Sequence, residues 1–125
     1  MDHHRFLPHY RIRRAGDFQR AFRRRCSVAD QWIIVFGYPN GLPHPRLGIS
    51  ASRRLGGAVV RNRWKRLVRE AFRLSRPRLP EGIDLIVIPR PNTEPTLASL
   101  LESLPQLAAG LARKIVPSPL GRGLE

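Results

Sequence analysis

The chain has 125 residues with 23 basic and 9 acidic side chains, so it carries a net charge of +14 on what is one domain's length of sequence. An apolar fraction of 42% is typical of a folded protein and argues against wholesale disorder. No apolar run reaches the ~20 residues that span a bilayer, and with Cys26 as the only cysteine an internal disulfide is excluded. These features predict a single-domain cytoplasmic protein whose partner is a polyanion.

The excess positive charge is confined to two segments. Residues 1–25 contain eight arginines and two aspartates, and residues 53–78 contain ten basic residues and one glutamate. Residues 26–52 are neutral, and residues 79–125 carry a net charge of −1. A surface tuned only for solubility intersperses its signs, so this concentration indicates anion-binding surfaces. The predominance of arginine favours structured nucleic acid as the anion.

The first half of the chain predicts one helix and two strands. Residues 15–25 carry Phe18, Ala21 and Phe22 at helical spacing. Residues 28–38 are rich in β-branched and aromatic side chains, which predicts a strand that ends at the following Pro-Asn-Gly turn. Residues 46–52 alternate in the manner of a second strand, and the loop between the two suits a loose antiparallel hairpin.

The second half predicts a helix, a strand and a further helix. Residues 58–74 form the strongest helix, and its apolar stripe is Val60, Trp64, Leu67, Val68, Ala71 and Leu74. Residues 83–88 are nearly all apolar and predict an interior strand covered on both faces. Residues 93–114 predict a helix that Pro105 kinks or splits. The order α-β-β-α-β-α predicts an α+β single-domain sandwich, a small sheet packed with helices over residues 10–116, between flexible segments 1–9 and 117–125.

The polar half of helix 58–74 is basic and almost uncompensated, with Glu70 as its only acid. Like charges one turn apart destabilise a helix, and so do arginines near the positive end of the helix dipole. An anionic ligand along this face would offset both costs, whereas the plainer alternative is a solvated charged surface. Arg53 and Arg54, just ahead of Gly56-Gly57, extend the patch onto a loop where backbone can approach phosphate.

Residues 46–73 have the sequence RLGISASRRLGGAVVRNRWKRLVREAFR. This segment resembles the signature of the bacterial ribonuclease P protein component. The centre of the match is Arg61-Asn62-Arg63, followed by Lys65-Arg66, Arg69-Glu70 and Phe72-Arg73. Three further segments also match, and they are Gly16-Asp17-Phe18 with Phe22, Ser27-Val28-Ala29, and Asp84-Leu85-Ile86-Val87-Ile88. The resemblance covers about residues 10–115, and it departs from the family pattern at Pro89, at Pro105 and in the C-terminal tail.

The resemblance implies an α/β sandwich with a left-handed β-α-β crossover, against the usual handedness. It implies the accessory subunit of an RNA-catalysed endoribonuclease that removes the 5′ leader of precursor tRNA. Magnesium would be bound mainly by the RNA subunit, and the protein would carry no catalytic residue. The residues expected to contact the catalytic RNA are Arg53, Arg54, Arg61, Asn62, Arg63, Lys65, Arg66, Arg69 and Arg73. Those expected to line a cleft for the leader are Phe18, Phe22, Phe36, Arg11 and Ser50.

The residues alone leave alternatives open. Phe18 and Phe22 suit core packing under the first helix as well as stacking on bases. A structural RNA-binding protein of the ribosomal type has the same size and charge. A DNA-binding role is disfavoured because no helix-turn-helix precedes residue 58, and no membrane partner is expected. The scattered carboxylates, the loop histidines and Cys26 show no catalytic or metal-ligand spacing.

Overall fold

The computed structural model describes residues 8–115, which fold into a four-stranded sheet and three helices. The helices are α1 (Ala15–Arg24), α2 (Ala58–Ser75) and α3 (Leu97–Ile115). The strands are β1 (Ser27–Ala29), β2 (Ile33–Pro39), β3 (Arg46–Ile49) and β4 (Ile83–Pro89). The predicted α+β class is confirmed, with one strand more than expected. Of the segments predicted to be flexible, residues 1–7 and 117–125 lie outside the described residues, and Pro8 and His9 begin a short 3-10 turn.

The strands lie in the order β1-β2-β4-β3. Strand β4 pairs antiparallel with β2 on one side and parallel with β3 on the other. The predicted hairpin between residues 28–38 and 46–52 is therefore wrong, because β4 lies between the two strands. Strands β3 and β4 are joined through α2 in a β-α-β crossover, whose left-handed sense stays a prediction from the resemblance.

The predicted strand over residues 28–38 is divided in two by a turn at Asp30. The Asp30 carboxylate accepts hydrogen bonds from the backbone N–H groups of Trp32, at 2.9 Å, and Ile33, at 3.1 Å. The other oxygen of the carboxylate accepts a hydrogen bond from the hydroxyl of Ser103 on α3. Arg90 Nε donates a hydrogen bond to the backbone carbonyl oxygen of Asp30 at 2.7 Å. An aspartate that bonds its own following backbone favours a turn over a continuous strand.

The main core lies between one face of the sheet and the helices α2 and α3. Residues 83–87 are all buried, which confirms the interior strand. Helix α3 begins at Leu97, later than predicted, because Thr96 Oγ1 accepts a hydrogen bond from the Ser99 N–H at 3.1 Å and caps the helix. The helix then continues through Pro105, so the predicted split is wrong. Leu104 and Ala108, buried on either side of the proline, hold both halves against the core.

Candidate RNA-binding site

Helix α2 carries seven of the residues expected to contact RNA, and Arg53 and Arg54 lie in an exposed 3-10 turn just before it. The turn is held by Ser52, whose hydroxyl accepts a hydrogen bond from the Arg54 N–H at 3.3 Å. On α2 itself the basic and amide side chains differ in exposure. The exposed ones are Asn62, Arg63 and Arg66, and the half-buried ones are Arg61, Lys65, Arg69 and Arg73.

The centre of the buried stripe of α2 lies about 50° around the helix from the centre of the predicted one, at 100° per residue. The buried side chains are Trp64, Val68, Ala71, Phe72 and Ser75. Val60 and Leu74, predicted to be core, are 37% and 39% exposed, so this part of the prediction is wrong. Phe72, which the predicted stripe did not include, is fully buried in the main core, and Tyr10 of the N-terminal segment packs on it with ring centroids 6.2 Å apart.

Two arginines of α2 lie in electrostatically unusual surroundings. Burial and the neighbouring Arg11 guanidinium lower the pKa of Arg69. Arg61 Nε is buried and has no hydrogen-bond partner among residues 8–115. By contrast, Arg73 donates to the Glu70 carboxylate, and this hydrogen bond lowers the pKa of Glu70. Glu70 thus compensates Arg73 and leaves the rest of the basic face to another anion.

The second face of the sheet, away from α2 and α3, is only partly covered. Side chains alternate between the faces of a strand, and in β2 the residues on the core side are buried while Ile34, Phe36 and Tyr38 are half-buried. Helix α1 crosses this second face. Its buried Ala21 packs with Ile86 of β4, and around this pair lie Ile12, Phe18, Phe22, Phe36 and Tyr38.

The strand register arranges this second face in three rows across the sheet. The middle row, Phe36–Ile86–Gly48, lies under α1. A second row, which we call the open row, consists of Ala29, Ile34, Ile88 and Ser50 and is exposed or half-buried throughout. The Ser50 N–H donates to the Val87 carbonyl at 2.9 Å, which sets Ser50 at the β3 end of that row. The third row is Tyr38–Asp84–Arg46.

The open row and the aromatic side chains beside it form a cleft. Phe22 of α1 contacts Phe36 edge to face, with centroids 5.0 Å apart, and Phe18 lies 6.5 Å from Phe22. The three phenylalanines and Ser50 predicted for a leader cleft therefore lie around one surface. Ile34 and Ile88, which pair directly across β2 and β4, form its floor and were missed. The sequence does not distinguish these two isoleucines from ordinary core residues. Only the pairing register of β2 and β4 shows that they lie side by side on this face.

The cleft and the basic helix meet at the outer edge of β3. A cavity of about 150 Å³ there is lined by apolar residues of the sheet edge and by Arg11, Phe18, Lys65 and Arg69. Arg11 is held at this edge by a parallel bridge to Leu47. Lys65 and Arg69, grouped by sequence with the other basic residues of α2, thus face the cleft side of the helix.

No group of three or more histidine, cysteine, aspartate or glutamate side chains suited to a metal ion occurs within residues 8–115. Over the same part of the chain, no helix is both long and apolar enough to cross a membrane. The side chains around the β3 edge are cationic and aromatic. A basic helix beside a half-open aromatic sheet face defines the class of small α+β RNA-binding proteins.

Comparisons with known proteins agree with this class. The family model described as Ribonuclease P matches residues 6–112. The chain is 43% identical over 101 residues to the ribonuclease P protein component of Methylococcus capsulatus, covering 79% of this chain and 78% of that one. It is 40% identical over 97 residues to that of Staphylococcus carnosus, with 76% and 84% covered.

Solved structures give the same result. The RNase P protein of Staphylococcus aureus is 39% identical with a TM-score of 0.68, covering 78% of this chain and 91% of that one. The RNase P protein of Thermotoga maritima is 34% identical with a TM-score of 0.71, and the shares are 78% and 95%. The chain belongs to the ribonuclease P protein family. Membership implies a ribonuclease-associated role in tRNA processing, in a ribonucleoprotein with ribonuclease P RNA.

Proposed function

We propose that this chain binds the catalytic RNA of ribonuclease P along α2 and the 5′ leader of precursor tRNA in the cleft over the open row. The RNA subunit then performs the endonucleolytic cleavage that yields the mature tRNA 5′ end. The observation that carries the proposal is the meeting of the two surfaces at the β3 edge, where Phe18 of the cleft and Arg69 of α2 line one cavity. A single-stranded leader in the cleft would therefore reach the basic face of α2 directly.

The basic face of α2 supports the first half of the proposal. A buried donor without a partner costs about 1–3 kcal/mol, and a movement of the Arg61 side chain that brings Nε to a phosphate or ribose oxygen would remove that cost. The proximity of Arg11 and Arg69 is likewise relieved by an anion between them. Arginine forks match phosphate bidentately, and RNA helices are recognised mostly by shape and backbone.

The cleft supports the second half. Its walls are aromatic and its floor is apolar, so they offer stacking surfaces to unpaired bases without a hydrogen-bonding code. Stacking of a base on an aromatic side chain contributes about 1–3 kcal/mol and tolerates any sequence. A single-stranded leader of variable sequence fits this chemistry, whereas a base-paired stem has no unstacked face to offer.

The proposal assigns magnesium to the RNA subunit. The metal supplies charge stabilisation to phosphodiester cleavage when it is bound. Within residues 8–115, Asp17 and Asp84 pair with Arg46 and Asp30 is bonded within its turn, so these three carboxylates do not fit a resident ion. What the protein contributes is the position of the leader and cations along the RNA backbone.

The first test is cleavage of precursor tRNA by a bacterial ribonuclease P RNA at low magnesium, with and without the protein. The expected result is cleavage that requires the RNA and rises strongly when the protein is added. An unchanged rate would mean that the protein is a structural RNA binder. Cleavage by the protein alone, with contaminating nucleases excluded, would contradict the assignment of catalysis to the RNA.

The second test separates the cleft from the core. Phe22→Leu retains apolar packing and removes the stacking ring, so we expect precursor tRNA to bind about tenfold more weakly and mature tRNA to bind as before. The matched control is Trp32→Leu, which also removes an aromatic ring. Trp32 packs against the main core on the other face of the sheet. An equal loss for both RNAs would show that Phe22 serves only the core.

A further inference from the structure

Helix α1 has a second flank, which faces away from the open row. Its buried Ala21 points at the sheet, and on the side of the third row lie Asp17, Arg20 and Arg24. Asp17 reaches Arg46 of the third row at 3.5 Å, and Arg24 lies over the ring of Tyr38, 6.0 Å from its centroid. Helix α1 therefore separates the aromatic cleft from a different surface.

This surface is an open depression of about 340 Å³ lined by Arg20, Arg23, Arg24 and Tyr38. Tyr38 is half-buried and packs against the cluster beneath α1, so its ring is held in place while part of it stays accessible. A volume of a few hundred Å³ suits a ligand the size of one nucleotide. The lining offers one aromatic face and three guanidinium groups.

The charges of this surface exceed what the fold requires. Arginines in the last turn of a helix are stabilised by the negative end of the helix dipole. That end carries only about half an elementary charge, so one arginine is enough to balance it. Arg20 pairs with Asp17. Within residues 8–115, neither Arg23 nor Arg24 forms an ion pair, and both are exposed. Three arginines of the first basic segment, Arg20, Arg23 and Arg24, thus lie beside one tyrosine.

We propose that Tyr38, Arg20, Arg23 and Arg24 form a second RNA-binding site, which takes one base on the tyrosine ring and neighbouring phosphates on the arginines. The ligand is an RNA strand, and in this respect the proposal rests on the proposed function. The strand comes either from the substrate leader beyond the cleft or from the catalytic RNA. Both sources present the same chemistry, and the experiment below distinguishes them.

The test compares Arg23→Ala/Arg24→Ala with Arg78→Ala/Arg113→Ala in the full chain. The control pair is exposed, lies outside both proposed surfaces and removes the same net charge. Affinity is measured over a range of salt for catalytic RNA alone, and in the holoenzyme for precursor tRNAs with a leader confined to the cleft or extending beyond it. Loss of two phosphate contacts should reduce the slope of log K against log salt by about 1.4–1.8, and the control should retain the wild-type slope.

The RNA that shows the reduced slope identifies the source of the strand. A reduced slope only for the precursor tRNA with the long leader assigns the site to the substrate. A reduced slope for binding to catalytic RNA in the absence of tRNA assigns it to the interface between the protein and that RNA. If the variant matches the control for every RNA while wild-type protein still stimulates cleavage, the second site is refuted and the proposed function stands. Tyr38→Leu, which keeps the apolar packing, should weaken the same RNA about fivefold or more. Wild-type affinity in that variant would refute the stacking role.

Discussion

Gly48 of β3 lies beneath the ring of Phe18, and replacing it with alanine tests how closely α1 is fitted to the sheet. A Cβ atom at Gly48 would lie 2.7 Å from Phe18 Cζ, 3.0 Å from Cε2 and 3.3 Å from Ile12 Cδ1. Carbon atoms in contact are normally about 3.5–4.0 Å apart. The Phe18 ring must therefore move away from the sheet by roughly 1 Å.

The energetic cost follows from that displacement. Adding a methyl group to a packed site costs about 1–3 kcal/mol, and alanine recovers about 0.4–1 kcal/mol by restricting the unfolded chain. We expect Gly48→Ala to lower the free energy of unfolding by about 1–2 kcal/mol. For a domain of this size that lowers Tm by roughly 3–10 °C. The displaced ring should also weaken binding of leader-bearing RNA.

The assay is thermal unfolding followed by circular dichroism, with Gly16→Ala as the control. A Cβ at Gly16 has its nearest neighbour, Arg20 Nη1, at 3.7 Å, which is ordinary contact. Since Gly16 lies in the first turn of α1, alanine there should raise stability by up to about 1 kcal/mol. The same chemical change thus has opposite effects at the two sites. Phe18→Leu should cost less in the Gly48→Ala background than in wild type, because the smaller side chain relieves the overlap.

A Gly48→Ala protein with wild-type Tm and wild-type affinity for precursor tRNA would contradict the close fit of Phe18 to the sheet. Equal destabilisation by the two alanine replacements would also contradict it, because the cost would then not come from the Phe18 ring. A Gly48→Ala protein that is less stable but binds the leader normally would show that Phe18 belongs to the core and not to the cleft.

Three other predictions concern charge. Asp84→Asn should lower the free energy of unfolding by about 1.5–3 kcal/mol in urea titrations, because the buried Asp84 carboxylate accepts from Arg46 Nε and Nη2 at 2.8 and 2.7 Å; an unchanged midpoint would contradict this. The hydrogen bond from Arg73 lowers the folded-state pKa of Glu70, so its small stabilisation is present above the ordinary glutamate pKa and is lost as pH falls through the lowered value. The difference in stability between wild type and Glu70→Gln should accordingly vanish in acid, and a constant difference would argue against the pair. Arg66→Ala should leave Tm unchanged and reduce the salt slope for catalytic RNA by about 0.9, and an unaltered slope would exclude a phosphate contact.

Local sequence signals predicted the helices and the interior strand well, since these depend on spacing within one segment. Helix α1 was expected over residues 15–25 and spans Ala15–Arg24, and the apolar run at residues 83–88 is the central strand. The predicted hairpin is wrong because a loop of suitable length does not reveal that β4, which begins 44 residues after β2 ends, occupies the place beside β2. Strand pairing depends on which apolar faces can be covered together, and this is not a local property.

The candidate site divides in the same way. The basic residues of α2 follow from helical spacing, but their orientation does not, because the fully buried Phe72 lies outside the apolar stripe that the spacing predicts. The phenylalanines of the cleft were recognisable through the resemblance, whereas the floor residues Ile34 and Ile88 become visible only when β2 and β4 are paired. Alternation along one strand assigns residues to faces but does not say which face is left open.

Helix α1 connects stability to binding in this fold. It is fixed at two successive rows of the sheet, by Phe18 over Gly48 in the middle row and by Asp17 on Arg46 in the third row. Arg46 is itself held by the buried Asp84, and that hydrogen bond raises the pKa of Arg46. These two contacts hold α1 along one side of the open row. Because ordering a binding surface costs affinity, a cleft whose wall is already rigid leaves more of the stacking energy for the unpaired strand.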